Sequence, residues 1–346
     1  MPGSRTAFGS LLFYSDLTTT GMRAVVITEP GGPEVLKIED RPDPETTANQ
    51  VRVRIRSSSV NRADLLQRRG LYPPPVGYPA DIPGLEFAGE VESIGPGAER
   101  WKVGDRVMGI IGGGGHAELV CSHEDELLPV PAGWDWPAAG ATAEVFLTAF
   151  DALFRLAEAE TDDRVLIHAV GSGVGTAALQ LCRAMGIAAC GTSRSPGKLD
   201  AARSLGLEFG VNSGGDWIGP VEEWVGDRGI NVVLDLVSGP YIAGDLRVLS
   251  TGGRIVVVGL VAGTHARIDL GVLLRKRARL IGTVLRSRSA AERAALVHDF
   301  EERALPLLEN GEVGPILDSA YRFEDIAAAH EYLETNESFG KVALVW

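Results

Sequence analysis

One stretch, Arg164-Val165-Leu166-Ile167-His168-Ala169-Val170-Gly171-Ser172-Gly173-Val174-Gly175-Thr176, restricts what this chain can fold into more than any other. The β-formers Val165 to Ile167 run into a glycine-rich turn. A helix is expected from about Val174, carrying the small and apolar residues Ala177, Ala178, Leu179 and Leu181. Strand, tight turn and helix N-terminus together cradle an anion, because backbone N–H groups and the helix dipole face it. The spacing Ala169-x-x-Ser172-Gly173-x-Gly175 is a variant of the dinucleotide fingerprint. It nominates Gly171, Ser172, Gly173, Val174 and Gly175 as phosphate contacts. Taken alone, glycines are also what any tight strand-to-helix turn requires.

The following strand sharpens the cofactor expectation. Ile187–Thr192 reads as the second parallel strand, and the ribose-binding residue belongs at its end. An NAD site places Asp or Glu there to accept from the ribose 2′-hydroxyl. Here stand Ser193, Arg194 and Ser195, with Lys198 a turn further on. A hydroxyl, a guanidinium and an ammonium suit a 2′-phosphate, so NADP(H) is the expected cofactor. A solvated loop with ordinary basic residues is the alternative.

At 346 residues the chain is long enough for two cores. A net charge of −13 argues against a nucleic-acid backbone or an anionic membrane as partner. No apolar run approaches the roughly 20 residues of a membrane span. The three cysteines, Cys121, Cys182 and Cys190, form no C-x-x-C pair and read as free thiols of a reducing, cytoplasmic compartment. Residues 1–21 precede a strand start at Met22 and are read as an extension outside the fold.

From Met22 to about Leu128, short strand signals at Ala24–Ile27, Val35–Glu39, Val51–Arg56, Phe87–Ile94 and after Gly104 alternate with Pro-Gly clusters. That texture predicts a folded barrel. Ala138–Leu156 reads as one helix. Strands at Val165–Ala169, Ala188–Thr192, Val232–Asp235, Arg254–Gly259 and Leu280–Thr283 then alternate with helical stretches, the βαβ rhythm of a doubly wound parallel sheet. A helix at Ala290–Leu308, a strand at Ile316–Ala320, a helix at Ile326–Thr335 and a strand at Lys341–Trp346 close the chain, returning to the first domain. The expected fold class is α/β: a barrel domain over 22–143 completed by 288–346, with a dinucleotide domain over 144–287.

Five segments carry a family likeness: Asn61-Arg62-Ala63-Asp64 with Gly70-Leu71-Tyr72-Pro73-Pro74-Pro75, Pro83-Gly84-Leu85-Glu86-Phe87-Ala88-Gly89, Val103-Gly104-Asp105-Arg106-Val107, Phe146-Leu147-Thr148-Ala149-Phe150 and Leu285-Arg286-Ser287-Arg288. In this order they resemble the zinc-free quinone oxidoreductases of the medium-chain dehydrogenase/reductase superfamily, nearer to the tumour-suppressor-induced type than to ζ-crystallin. The resemblance covers essentially all of Met22–Trp346. It implies a GroES-like barrel, an inserted Rossmann domain, a cleft at their junction and a homodimer paired through the edge strand Leu280–Thr283. Zinc-dependent relatives carry Gly-His-Glu where this chain reads Gly84-Leu85-Glu86, a ligand cysteine near Asn61, and often a cysteine lobe. Their joint loss predicts hydride transfer with no metal site.

The resemblance places Asn61 and Asp64 in the cleft beside nicotinamide and substrate; an N-cap pair on a short helix is the alternative. Tyr72, on a stiff proline loop, either polarises a substrate oxygen or simply packs. Thr148 either meets the nicotinamide end or back-bonds to its own turn. Gly259 and Leu260 close the fourth strand of the parallel sheet at its C-terminal end, where ligands bind. Leu285 and Arg286 resemble the family segment lining the nicotinamide pocket. Ser213 replaces a tyrosine that relatives often place beside the adenosine phosphate. His168 reads as a core histidine and His116 is left without a role. The reading is an enzyme that reduces a quinone or conjugated carbonyl with NADPH. An enoyl-thioester or alkenal reductase, and a non-catalytic or RNA-binding NADPH protein, stand as alternatives.

Overall fold

The computed structural model describes residues 21–346, so the expectation for the leader lies outside the described residues apart from Gly21. Strands β1 (Met22–Ile27) and β2 (Leu36–Arg41) form an antiparallel pair. Strand β3 (Gln50–Val60) buries Val51, Val53 and Ile55 on one face, as its alternation predicts. The short helix α1 (Arg62–Arg68) follows, then β4 (Glu86–Ile94), β5 (Arg106–Ile110), β6 (Leu119–His123) and β7 (Leu127–Pro129).

The helix expected over Ala138–Leu156 is broken into α2 (Trp136–Gly140), α3 (Ala143–Phe150) and a π-helical turn over Asp151–Leu156. The break falls where the chain crosses β3 closely: a Cβ on Gly140 would lie 2.7 Å from the Ser57 carbonyl carbon. Beyond it, α3 is buried between the barrel and the second sheet. Phe146, Leu147 and Phe150 share one core with Ala88 and Met108 on the barrel side and Val165, Ile167 and Leu179 on the other. The helix is therefore a rigid floor between the domains.

The second domain runs β8 (Arg164–Ile167), α4 (Gly173–Ala184), β9 (Ala188–Ser193), α5 (Pro196–Arg203), β10 (Phe209–Asn212), β11 (Ile230–Asp235), β12 (Leu249–Val257) and β13 (Arg279–Gly282). The sheet is six-stranded and parallel, in the order β10-β9-β8-β11-β12-β13. The order reverses between β8 and β11, which fixes a crevice at their C-terminal ends. Three elements of this domain escaped the sequence reading: β10 and the helices Ile218–Val225 and Leu270–Lys276. Strand β10 is four residues long and holds a glycine, too short for a periodicity. The segment after Val257 thus follows the fifth strand of the domain, not the fourth.

The chain then returns to the barrel through β14 (Leu317–Arg322) and β15 (Lys341–Val345), giving the order β14-β15-β3-β4-β5-β7 with β6 paired to β3. The helix expected over Ala290–Leu308 ends at Arg303 and restarts at Leu305, because Pro306 lacks the N–H that a continuous helix needs. No described helix is long and apolar enough to cross a membrane.

Candidate active-site cleft

The fingerprint turn is built by residues that tolerate crowding. Ser172 caps α4, its Oγ accepting from the Gly175 N–H at 3.1 Å. A Cβ on Gly175 would lie 2.6 Å from the Ala169 carbonyl oxygen, and one on Gly173 would lie 2.6 Å from the Lys341 side chain. Ala169 itself sits at φ +51°, left-handed backbone that glycine adopts freely and alanine does not. The C-terminal segment closes over this turn: the Gly340 N–H donates to the Gly171 carbonyl at 3.0 Å. Val174 is half-buried on the first turn of α4, so Gly171, Ser172, Gly173, Val174 and Gly175 stand together at the helix N-terminus.

At the end of β9 a cavity of about 390 Å³ is lined by Ser195, Gly197, Lys198, Asn336, Glu337 and Phe339. That volume lies in the usual range for a small-molecule site. Lys198 lines it; Ser193 and Arg194 directly precede the lining residue Ser195 in the chain, and the Ser213 N–H donates to the Ser193 carbonyl at 3.0 Å. Their side chains are not equally free. The Ser193 hydroxyl accepts from the Ser195 N–H, and the Lys198 ammonium donates to the Asn336 and Ser338 carbonyls at 2.7 and 2.6 Å. Arg194 is exposed and makes no hydrogen bond or ion pair among the described residues. Burial holds the Lys198 ammonium below its usual pKa, and the guanidiniums of Arg194 and Arg62 push the same way against Asp318. The rim is positive, but its one uncommitted cation among Ser193, Arg194 and Lys198 is Arg194.

The junction of the domains holds a buried polar network around Glu86. The Glu86 carboxylate meets the Lys341 ammonium at 3.0 Å, accepts from Asn61 Nδ2 at 3.0 Å and from the Glu144 N–H at 2.9 Å, and bonds the Ser59 hydroxyl. Lys341 also donates to Asn61 Oδ1. Asn61 therefore stands in the cleft with both side-chain ends in use. Asp64 is fully buried, and its two oxygens accept from the N–H groups of Asn61 (2.7 Å) and Gly84 (3.0 Å). Of the two readings of the pair, the cap is formed: Asp64 closes a capping box on α1 and so orients Asn61, with both of its oxygens engaged by backbone N–H groups. Glu86, Lys341 and Glu144 were all absent from the sequence-derived site. Only Glu86 lay within a noticed motif; Glu144 meets it from 58 residues away and Lys341 from the far end of the chain.

The donor set does not fit a metal ion. Leu85 has no donor atom, and Glu86 has its charge matched by a buried lysine. Among the described residues no group of His, Cys, Asp and Glu is arranged to hold one.

Above this network, Leu285 and Arg286 are buried against Leu85, Ile110, Ile111 and Gly112, lining the interdomain gap. The Arg286 guanidinium donates to the carbonyls of Gly112 (2.7 Å) and Tyr72 (2.9 Å) and to Gln67, and lies 4.8 Å from the Tyr72 ring centre. Its side chain is thus a bolt that holds the Tyr72 loop. Tyr72 is half-buried, and its hydroxyl makes no hydrogen bond among the described residues; burial, chiefly, raises its pKa. Thr148 is buried, and its hydroxyl bonds no described group, so the back-bonded alternative is not formed. Gly259 lies where a Cβ would meet the Leu236 carbonyl oxygen at 2.4 Å, while Leu260 beside it is 54% exposed at the mouth. His168 is fully buried between Thr192 (2.8 Å) and Asp245 (2.7 Å), a core residue as read.

Known proteins share this architecture. The family described as alcohol dehydrogenase GroES-like domain matches residues 47–132, and that described as zinc-binding dehydrogenase matches 173–310. A quinone oxidoreductase of Rattus norvegicus is 32% identical over 331 residues, covering 94% of this chain and 98% of the relative. The structure of a Pseudomonas syringae quinone oxidoreductase superposes with a TM-score of 0.84 at 28% identity, over 94% of this chain and all of the other (100%). That of the CurK enoyl reductase does so with a TM-score of 0.83 at 25% identity, over 94% and 99%. Enzymes of this kind use nicotinamide cofactors. The chain belongs to the medium-chain dehydrogenase/reductase superfamily, alongside its quinone oxidoreductases, and is an oxidoreductase.

Proposed function

We propose that the protein reduces quinones or related conjugated carbonyls with NADPH and without zinc. The observation that carries this reading is the Glu86 network. Where metal-dependent chemistry needs an open carboxylate, Lys341, Asn61, Ser59 and the Glu144 amide occupy it. A bound nicotinamide would supply hydride to the acceptor. The chain's own part is to position and to exclude water. Ser172, Gly173 and Gly175 receive the pyrophosphate, Arg194 the 2′-phosphate, and Thr148 and Gly259 the nicotinamide end. The Tyr72 hydroxyl, which bonds no described group, would meet the acceptor oxygen beside Asn61, which Glu86 and Lys341 hold in place, and Leu85, Ile111 and Leu285 would keep the gap dry.

The likeness to the CurK enoyl reductase keeps an enoyl-thioester or alkenal acceptor as the second reading. The −13 charge counts against an RNA-binding role. A second copy of the chain is the proposed partner. Strand β13 leaves its outer edge unpaired among the described residues, and Leu270, Leu274, Leu280 and Val284 beside it are exposed. A cytoplasmic setting accords with free thiols at Cys121, Cys182 and Cys190.

The test is oxidation of NADPH and of NADH against an ortho-quinone, a para-quinone and an enal, with and without chelator. Quinone turnover that prefers NADPH and ignores chelator supports the reading. Turnover on enals alone selects the second reading, and equal use of NADH removes Arg194 from cofactor choice.

A further inference from the structure

We propose that Glu144 is a further catalytic residue, the carboxylic acid that protonates the acceptor as it is reduced. The inference rests on the reductase reading above. Glu144 stands on the first turn of α3, with its N–H held by Glu86 at 2.9 Å. Its neighbours Ala143, Val145, Phe146 and Leu147 are buried in the core, so the helix cannot turn. Glu144 itself is only half-buried and lines the interdomain gap with Leu85, Gly112, Leu285 and Arg286. Thr148, one turn on, lies on the same face.

What sets Glu144 apart is the state of its carboxyl. Nearby acids are all committed: Asp64 to two backbone N–H groups, Glu86 to Lys341 and Asn61, and Glu126 to a two-pronged pair with Arg293 at 3.0 Å. The Glu144 carboxyl makes no hydrogen bond or ion pair among the described residues. The charged and titratable groups around it come from every wall of the gap. They are Glu86 of β4, Lys341 of β15, Asp64 of α1, Arg286 after β13, Tyr72 after α1, and Arg293, which lines the same gap. Burial first, and then the Glu86 charge, push the Glu144 carboxyl up to about 8, with Lys341 and Arg286 opposing only in part. It is therefore protonated at neutral pH, and an acid titrating near the working pH is well matched to proton donation.

The step balances. Hydride from the reduced nicotinamide forms the new bond at the acceptor, so the nicotinamide is oxidised and the acceptor reduced. The Glu144 O–H bond breaks, and its proton goes to the acceptor oxygen of a quinone, or to the α-carbon of an enone. Water reprotonates the carboxylate.

The experiment combines Glu144→Gln and Glu144→Asp with two readouts. The first is kcat between roughly pH 6 and pH 10 with NADPH and a quinone. The wild type should fall about tenfold per pH unit above the Glu144 pKa. Glu144→Gln should lose that limb and about 10²-fold in kcat, with cofactor affinity kept, and Glu144→Asp should regain a displaced limb. The second readout needs no substrate. A folded-state pKa raised from 4.5 to about 8 gives stability that is present below pH 4.5 and lost as pH rises through about 8. The Tm advantage of Glu144→Gln over the wild type should therefore grow across that window and then level off. A variant with the wild-type profile and kcat overturns the assignment alone, as does a flat Tm difference. Wild-type protein that binds NADPH but reduces no acceptor overturns the reductase reading, and the assignment with it.

Discussion

Replacing Lys341 by methionine tests whether the cleft junction is held by charge pairing. The ammonium is 4% exposed, the Glu86 carboxylate is 1% exposed, and they meet at 3.0 Å. Methionine keeps the aliphatic stem under Gly173 and deletes the charge, leaving Glu86 ionised, buried and short of its cation. Breaking one side of such a pair costs roughly 3–5 kcal/mol, whereas neutralising both sides is often close to neutral. At about 2–4 °C per kcal/mol for a domain of this kind, Tm should drop by roughly 6–20 °C. The double variant Lys341→Met with Glu86→Gln should recover more than half of that loss. Asn61, which receives one Lys341 hydrogen bond, should lose its fixed position in the single variant, and kcat/KM should fall with it. The assay is thermal and urea unfolding of the wild type, both single variants and the double variant, analysed as a cycle. A single-variant loss under about 1 kcal/mol, or a double variant no more stable than Lys341→Met, would refute the reasoning.

Three further outcomes are expected. Ala169→Gly removes a left-handed alanine at the fingerprint turn; it should raise stability by about 0.5–1 kcal/mol, read as a higher urea midpoint, and an unchanged midpoint would count against strain there. Arg194→Ser removes the uncommitted cation of the rim; the preference for NADPH over NADH should fall about 10- to 100-fold, measured as the ratio of kcat/KM values. Tyr72→Phe deletes a hydroxyl that bonds no described group; stability should hold within about 0.5 kcal/mol while kcat on a quinone falls, and unchanged kinetics would remove Tyr72 from the chemistry.

The amino-acid sequence by itself determined the parts whose cause is local. Val165–Ile167 with the glycines behind them dictated a strand, a tight turn and a helix, because β-formers, crowding and a helix N-terminus act over a dozen residues. The alternation in β3 fixed its buried face for the same reason. Tertiary structure decided the rest. Whether Asn61 and Asp64 formed a site or a cap depended on Gly84, some twenty residues away, donating to Asp64. Lys198 looked free for a phosphate until the chain near Asn336 and Ser338 came to rest on it. Glu86, Lys341 and Glu144 lie on separate elements, joined only when β15 returns to pair with β3 and α3 is clamped between the two sheets. Burial and charge pairing are properties of that assembly, and no spacing along the chain encodes them.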